Sequence, residues 1–282
     1  MAVKLVGNSY GKGDVRLTRL SKDGAEFTVH QLATHVAMEG DFAAAYTAGD
    51  NRLVIPTDTV KNTMYVLARQ FGVPSPEAFA LHTADHFLTR YNHVNSVKVL
   101  VEESPWERVV IDGKPHPHAF VGGSSERRIF ETSQHRGHAP TMTGGIDGLL
   151  VLKASASAWC DFWHDENTTL KDASERILST IIKARWNFST PPTDWNHAHA
   201  AIRNAIIETF ATRHSPGVQR TILELGEAAL GACREIDEVT LTLPNKHHLP
   251  VDLTPFGLDN PHCVFHPVDE PYGLIEGIMR RE

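Results

Sequence analysis

The chain has 282 residues, 41% of them hydrophobic and 22% charged, with a formal net charge of −7. That length allows one large domain or two ordinary ones with ample core, and the negative balance argues against general nucleic-acid binding, because phosphate neutralisation needs a basic surface. No apolar run is long enough to cross a bilayer, the stretch Val3 to Val6 is too short for a secretory signal, and Met279-Arg280-Arg281-Glu282 is no peroxisomal signal, so the expected compartment is cytoplasmic, with no membrane partner.

In chain order, residues 3–10 and 15–20 read as a hairpin about a Gly11-Lys12-Gly13-Asp14 turn, followed by an alternating strand over 26–36. A loop over 41–50 leads to the apolar run Leu53-Val54-Ile55. Next comes Pro56-Thr57-Asp58-Thr59, a good helix start because hydroxyl and carboxylate oxygens satisfy first-turn amides. Val60, Met64 and Leu67 then repeat at helical spacing. On this stretch alone Thr57 reads first as part of an ordinary N-cap; the alternative is a group at a positive helix end, a place suited to an anion or an acidic heterocycle. The rest of the chain decides between cap and site. Lys12, likewise, reads by itself as a solvated loop lysine. Helices are expected over about 59–70 and 76–91, the second presenting Leu81, Ala84, Leu88 and Tyr91 on one face. Strands are expected over 96–103, 118–121 and 126–133.

The segment 134–145 has Gly and Pro and little periodicity, so the division is placed there: a first unit over 1–137 and a second over 138–282. The second half reads as a strand over 148–154, a helical turn at Thr168-Thr169-Leu170, and a strand over 180–188. Thr193-Asp194 then caps a helix carrying Trp195, Ile202, Ile206 and Phe210, and Ser215-Pro216 opens another with Ile222, Leu225 and Ala229 inward. Strands over 238–243 and 272–279 close the chain. The two halves share an order of elements, which points to duplication of one α+β unit.

Cys160, Cys233 and Cys263 are odd in number and widely spaced, which suits neither a disulfide framework nor a zinc site. The close histidine pairs, His116/His118, His135/His138, His197/His199 and His247/His248, lack the Cys or carboxylate companions of a recognisable metal motif. No dedicated metal site is expected.

Several separated stretches carry a resemblance: Thr57-Asp58-Thr59-Val60-Lys61-Asn62-Thr63, Leu152-Lys153, Asp165-Glu166-Asn167-Thr168-Thr169-Leu170, Arg176-Ile177-Leu178-Ser179-Thr180 and Leu243-Pro244-Asn245-Lys246-His247-His248. In that order they resemble the urate oxidase (uricase) family, and the similarity runs from Tyr10-Gly11-Lys12 to Tyr272-Gly273-Leu274-Ile275. The resemblance implies a tandem duplicated tunnelling fold (T-fold), each half an antiparallel sheet with paired helices on one face. It implies assembly into a barrel-walled homotetramer with active sites between neighbouring subunits. The implied reaction is a cofactor-independent oxidation of urate by O2 to 5-hydroxyisourate and hydrogen peroxide, in purine degradation.

By resemblance, Arg176 and Gln219 clamp the purine edge, Val218 adds a backbone N–H, and Trp159 stands where the family usually carries a stacking phenylalanine. Phe162 and Trp163 are neighbouring candidates for that stacking role. Thr57, Asp58 and Asn245 complete the substrate contacts. A relay of Lys12, Thr57 and His247 removes the proton, since a threonine hydroxyl is too weak an acid to act without a basic neighbour. Asn245 and Thr57 hold O2 and then the attacking water. Two rivals stand beside this reading: an enzyme of the same fold class acting on a pterin-like heterocycle, and a catalytically silent purine-binding or assembling protein.

Overall fold

The first strand of the computed structural model, which describes residues 3–282, is β1 (Tyr10–Asp23), paired antiparallel with β2 (Glu26–Gly40). The hairpin turns at Gly24, whose φ of +56 favours glycine. The expected turn at residues 11–14 is instead a bulge inside β1, where the register slips between Lys12 and Val15. Gly11 there serves close approach: a Cβ on it would lie 1.8 Å from the Val36 carbonyl oxygen. Residues 3–9 form no strand.

The expected loop contains α1 (Ala43–Ala48), and Leu53-Val54-Ile55 passes through a turn rather than a strand. α2 (Thr57–Gln70) buries Val60, Met64 and Leu67 as their spacing predicts. α3 (Pro76–Arg90) opens on Ser75, whose hydroxyl accepts from the Ala78 amide at 3.1 Å, with Pro76 in the first turn. Its buried face is Phe79, Ala80, Thr83, Ala84, Phe87 and Leu88, while Leu81 and Tyr91 are half-buried. The two phenylalanines bring more apolar area than Leu81, so they turn the helix toward themselves.

β3 (Val94–Ser104) pairs with β2 and with β6 (Arg127–His135), and β7 (Thr141–Lys153) follows β6 in the sheet. β4 (Glu107–Ile111) and β5 (Lys114–Val121) form a separate hairpin across Asp112-Gly113, both at positive φ. An ion cluster ties α3 to the strands. Arg128 donates to both carboxylate oxygens of Glu77 at 2.9 and 2.7 Å, and Glu103 holds His30 at 2.5 Å.

Two compact units emerge, one of residues 1–145 with 187–196 and one of 146–186 with 197–282. β7 starts in the first and continues into the second. In the second unit the strand order runs β7, β8 (Leu178–Phe188), β10 (Asn245–Pro250) and β11 (Phe265–Gly273). β9 (Ile236–Thr242) pairs with β8 and with β12 (Glu276–Arg280). β11 and β12 replace the single strand expected over 272–279. The chain changes partner at Leu274-Ile275, leaving β10 for β9.

α4 (Trp195–Thr212) begins as expected, with the Asp194 carboxylate accepting from the Asn196 amide at 2.9 Å. α4 buries Ile202, Ile206 and Phe210; α5 (Val218–Ala232) buries Ile222, Leu225 and Ala229. The helical turn expected at residues 168–170 is absent, because the Thr168 hydroxyl folds back onto Asp165. Among the described residues, no helix is long and apolar enough to cross a membrane.

Candidate functional site

The segment between β7 and β8 has no regular secondary structure, yet its backbone is pinned. The Ala158 amide donates to the Ser215 carbonyl at 2.8 Å, and the Arg176 amide to the Ser157 carbonyl at 2.9 Å. Trp159 and Ala173 exchange both backbone hydrogen bonds, at 2.8 and 2.9 Å. These ties carry Trp159 and Arg176 to the start of α5. The Arg176 guanidinium lies 5.8 Å from the Trp159 ring centroid, and its Nε is buried without a hydrogen-bond partner. Burial alone pushes this guanidinium down from its ordinary value. A desolvated donor with an unused N–H is prepared for an acceptor from outside the chain.

α5 opens on Gly217 with no side-chain cap, so the N–H groups of its first turn gain no partner from a capping side chain. That end of a helix is a favourable place for negative charge. From the sheet, β10 supplies Asn245, a buried residue paired with Thr180 on β8 and Gly273 on β11. His247 follows on the same strand, after an irregularity between positions 245 and 247.

These elements enclose a pocket of about 270 Å³ whose wall includes Trp159, Arg176, Val218, Gln219, Asn245 and His247, with Leu170 and Ile275 as apolar sides. A larger depression of about 1010 Å³ shares Arg176, Asn245 and His247 and runs on past Lys246, His248 and Phe265. The smaller space brings together a flat aromatic face, a helix start and convergent polar groups, and is the one shaped for a small planar ligand. Phe162 stacks behind Trp159 at 5.7 Å with the planes 10° apart, and Trp163 is 86% exposed. Of the three aromatic candidates, only Trp159 lines the pocket.

Lys12, Thr57 and Asp58 belong to the first unit. Lys12 sits half-buried at the bulge of β1, and Thr57 is the exposed first residue of α2, behind Pro56 at the cap position. The Asp58 carboxylate accepts from Lys61 and Asn62. The Lys61 hydrogen bond, then its charge, hold that carboxyl below the ordinary carboxylate range, with Asn62 and the charge of Lys12 adding. The Asp58 carboxylate therefore bonds side chains one turn on and no first-turn amide, so the expected capping by this carboxylate does not form. Thr57 does not act as the cap.

Sequence reasoning missed Leu170, Ile275 and Gly217 as parts of this region. Leu170 and Ile275 close stretches that carry the family resemblance, and Gly217 stands between Ser215-Pro216 and a helix, so each left a signal without a role attached. Among the described residues, no group of three or more His, Cys, Asp or Glu side chains is arranged to hold a metal ion.

The uricase family model matches residues 8–132 and 142–276. Uricase from Arthrobacter globiformis is 40% identical over 282 residues, 99% of this chain and 91% of that protein. Uricase from Danio rerio is 35% identical, over 99% of this chain and 96% of its own length. The crystal structure of the Arthrobacter globiformis uricase superposes with a TM-score of 0.92, covering 100% of this chain and 96% of that one. Urate oxidase from Bacillus sp. TB-90, at 20% identity and a TM-score of 0.82 over 97% of this chain and 100% of its own, shares the fold.

Proposed function

The chain belongs to the uricase family and has its α+β T-fold, and from that premise we propose that it oxidises urate with O2 to 5-hydroxyisourate and hydrogen peroxide, without a cofactor. The observation that carries the proposal is the convergence of Trp159, Arg176, Val218, Gln219, Asn245 and His247 on one small pocket. Urate is a flat, weakly acidic purine with hydrogen-bonding edges on both rings. In the proposed complex Trp159 stacks on its face, and the Arg176 fork donates to a carbonyl oxygen and an anionic ring nitrogen. The Gln219 amide supplies a donor and an acceptor, and Val218 a backbone N–H at the helix start.

The proposed chemistry begins with proton removal through Lys12, Thr57 and His247. The deprotonated, electron-rich ring then gives two electrons to O2, which leaves as hydrogen peroxide, and a water oxygen becomes the new hydroxyl. The substrate is its own reductant, so the electron balance requires no flavin or metal. Asn245 and Thr57 hold O2 and then the water, stabilising negative charge on the developing peroxide. The proposal further assigns a homotetramer whose active sites are completed between neighbouring subunits, with Thr57 and Asp58 among the substrate contacts. It takes 1–137 and 138–282 as the duplicated units.

The test is urate consumption by purified, chelator-treated protein, following urate absorbance and dissolved oxygen together. Equal loss of both with peroxide release is the expected result. Urate binding without turnover, or no binding, overturns the proposal.

A further inference from the structure

Gly217 stands at the cap position of α5 with φ 176 and ψ 156. That is extended backbone, which any residue adopts, so conformation does not explain the glycine. Space does. A Cβ built on Gly217 would lie 2.9 Å from Cζ3 and 3.2 Å from Cε3 of Trp159, and 3.5 Å from Oε1 of Gln219. The first distance is shorter than carbon atoms tolerate without one of them moving, and the second is a tight contact relieved only if the ring gives by a few tenths of an ångström.

The indole has little room to retreat. Its own residue is tied to Ala173 by two backbone hydrogen bonds, and the residue before it is tied to Ser215. Phe162 is stacked at 5.7 Å, and the Arg176 guanidinium carbon lies 5.8 Å from the ring centroid. Rotation of the side chain is the freedom that remains, and it changes the plane the indole presents in the pocket that Trp159 lines.

We propose that Gly217 is a positioning residue, forming with Trp159 a size-matched pair. The bare Cα of Gly217 seats the six-membered edge of the indole and so sets the plane on which the purine stacks. Gly217 touches no substrate; it acts through Trp159. The proposal rests on Trp159 as the stacking group in urate oxidation. A phenylalanine ring is smaller and would leave room for a side chain at position 217, so the glycine answers the indole and not the reaction itself.

The test is a double-mutant cycle of Gly217→Ala and Trp159→Phe, read in urate kinetics and in the Tm of the unliganded protein. Gly217→Ala alone is expected to raise KM for urate about tenfold, with kcat changed much less, and to lower Tm. In the Trp159→Phe background the same alanine is expected to change KM by less than about twofold and to leave Tm unmoved. Equal effects in the two backgrounds overturn the pair. If Gly217→Ala fails to fold, its rescue by Trp159→Phe supports the proposal and a failed rescue overturns it. The Tm cycle needs no turnover. A protein inactive on urate in every form would therefore refute the urate reading, while the Tm cycle would still decide whether the two residues are matched.

Discussion

Replacing Arg176 by methionine separates binding from stability. In the unliganded protein the guanidinium Nε is buried without a partner, and burial lowers the pKa of the group. A base whose folded pKa lies below its unfolded value costs stability at every pH under the folded value, because the unfolded chain holds the proton more tightly. Methionine keeps much of the length and removes the charge. Arg176→Met is therefore expected to leave the unliganded protein as stable as before or up to about 1 kcal/mol more stable. Urate binding moves the other way. Two charge-assisted hydrogen bonds are lost at roughly 1.5–3 kcal/mol each, so affinity falls by about two to four powers of ten. Calorimetric unfolding without ligand and anaerobic urate titration measure the two arms separately. A Tm lowered by several degrees, or urate bound as tightly as by the unaltered protein, would refute the reasoning.

Asn245→Ala is expected to lower kcat about a hundredfold with a smaller loss of anaerobic urate affinity, since it is proposed to hold O2 and water as well as to touch urate; an oxygen electrode and the same titration check this. Glu77→Gln leaves Arg128 charged with only Glu103, at 3.8 Å, as a carboxylate partner, where the Glu77 and Arg128 side chains are 3% and 12% exposed. The expected loss is about 2 kcal/mol of unfolding free energy, below that of a fully uncompensated buried charge, measured by denaturant titration. Lys61→Met removes the largest influence on Asp58, so the Asp58 carboxyl returns upward toward its ordinary value, observable by NMR titration of side-chain carboxyl carbons. The sign follows from the lowered folded pKa: the Asp58 contribution is present above the unfolded value and lost as pH falls through the folded one. The variant should show a weaker acid-dependent loss through that window.

Elements whose order is written locally were legible. α2 and α5 buried the residues their helical spacing selected, α4 buried Ile202, Ile206 and Phe210 but left Trp195 half-buried, and the Asp194 carboxylate capped α4 as expected. α3 departed because spacing alone does not weigh one apolar residue against another, and Phe79 and Phe87 decided which face turned inward. The β4–β5 hairpin is legible in principle through the turn pair Asp112-Gly113. The bulge at Lys12 was not legible. Gly11-Lys12-Gly13-Asp14 has the composition of a turn, and only pairing with β2 makes it an irregularity in a strand.

The sequence by itself determined the helical faces, the alternation of strands and helices, and the family to which its separated motifs point. These reside in spacings of a few residues, where periodicity and hydrogen-bonding side chains act on nearby backbone. Tertiary structure decided which of the named groups meet. Trp159 and Arg176 from an irregular segment, Val218 and Gln219 from a helix start, and Asn245 and His247 from a strand share one pocket only after the chain has closed on itself. It also decided why position 217 is glycine, since the atoms that exclude a side chain there belong to a tryptophan on another segment. Contacts between distant segments depend on packing in three dimensions, and no local spacing encodes them.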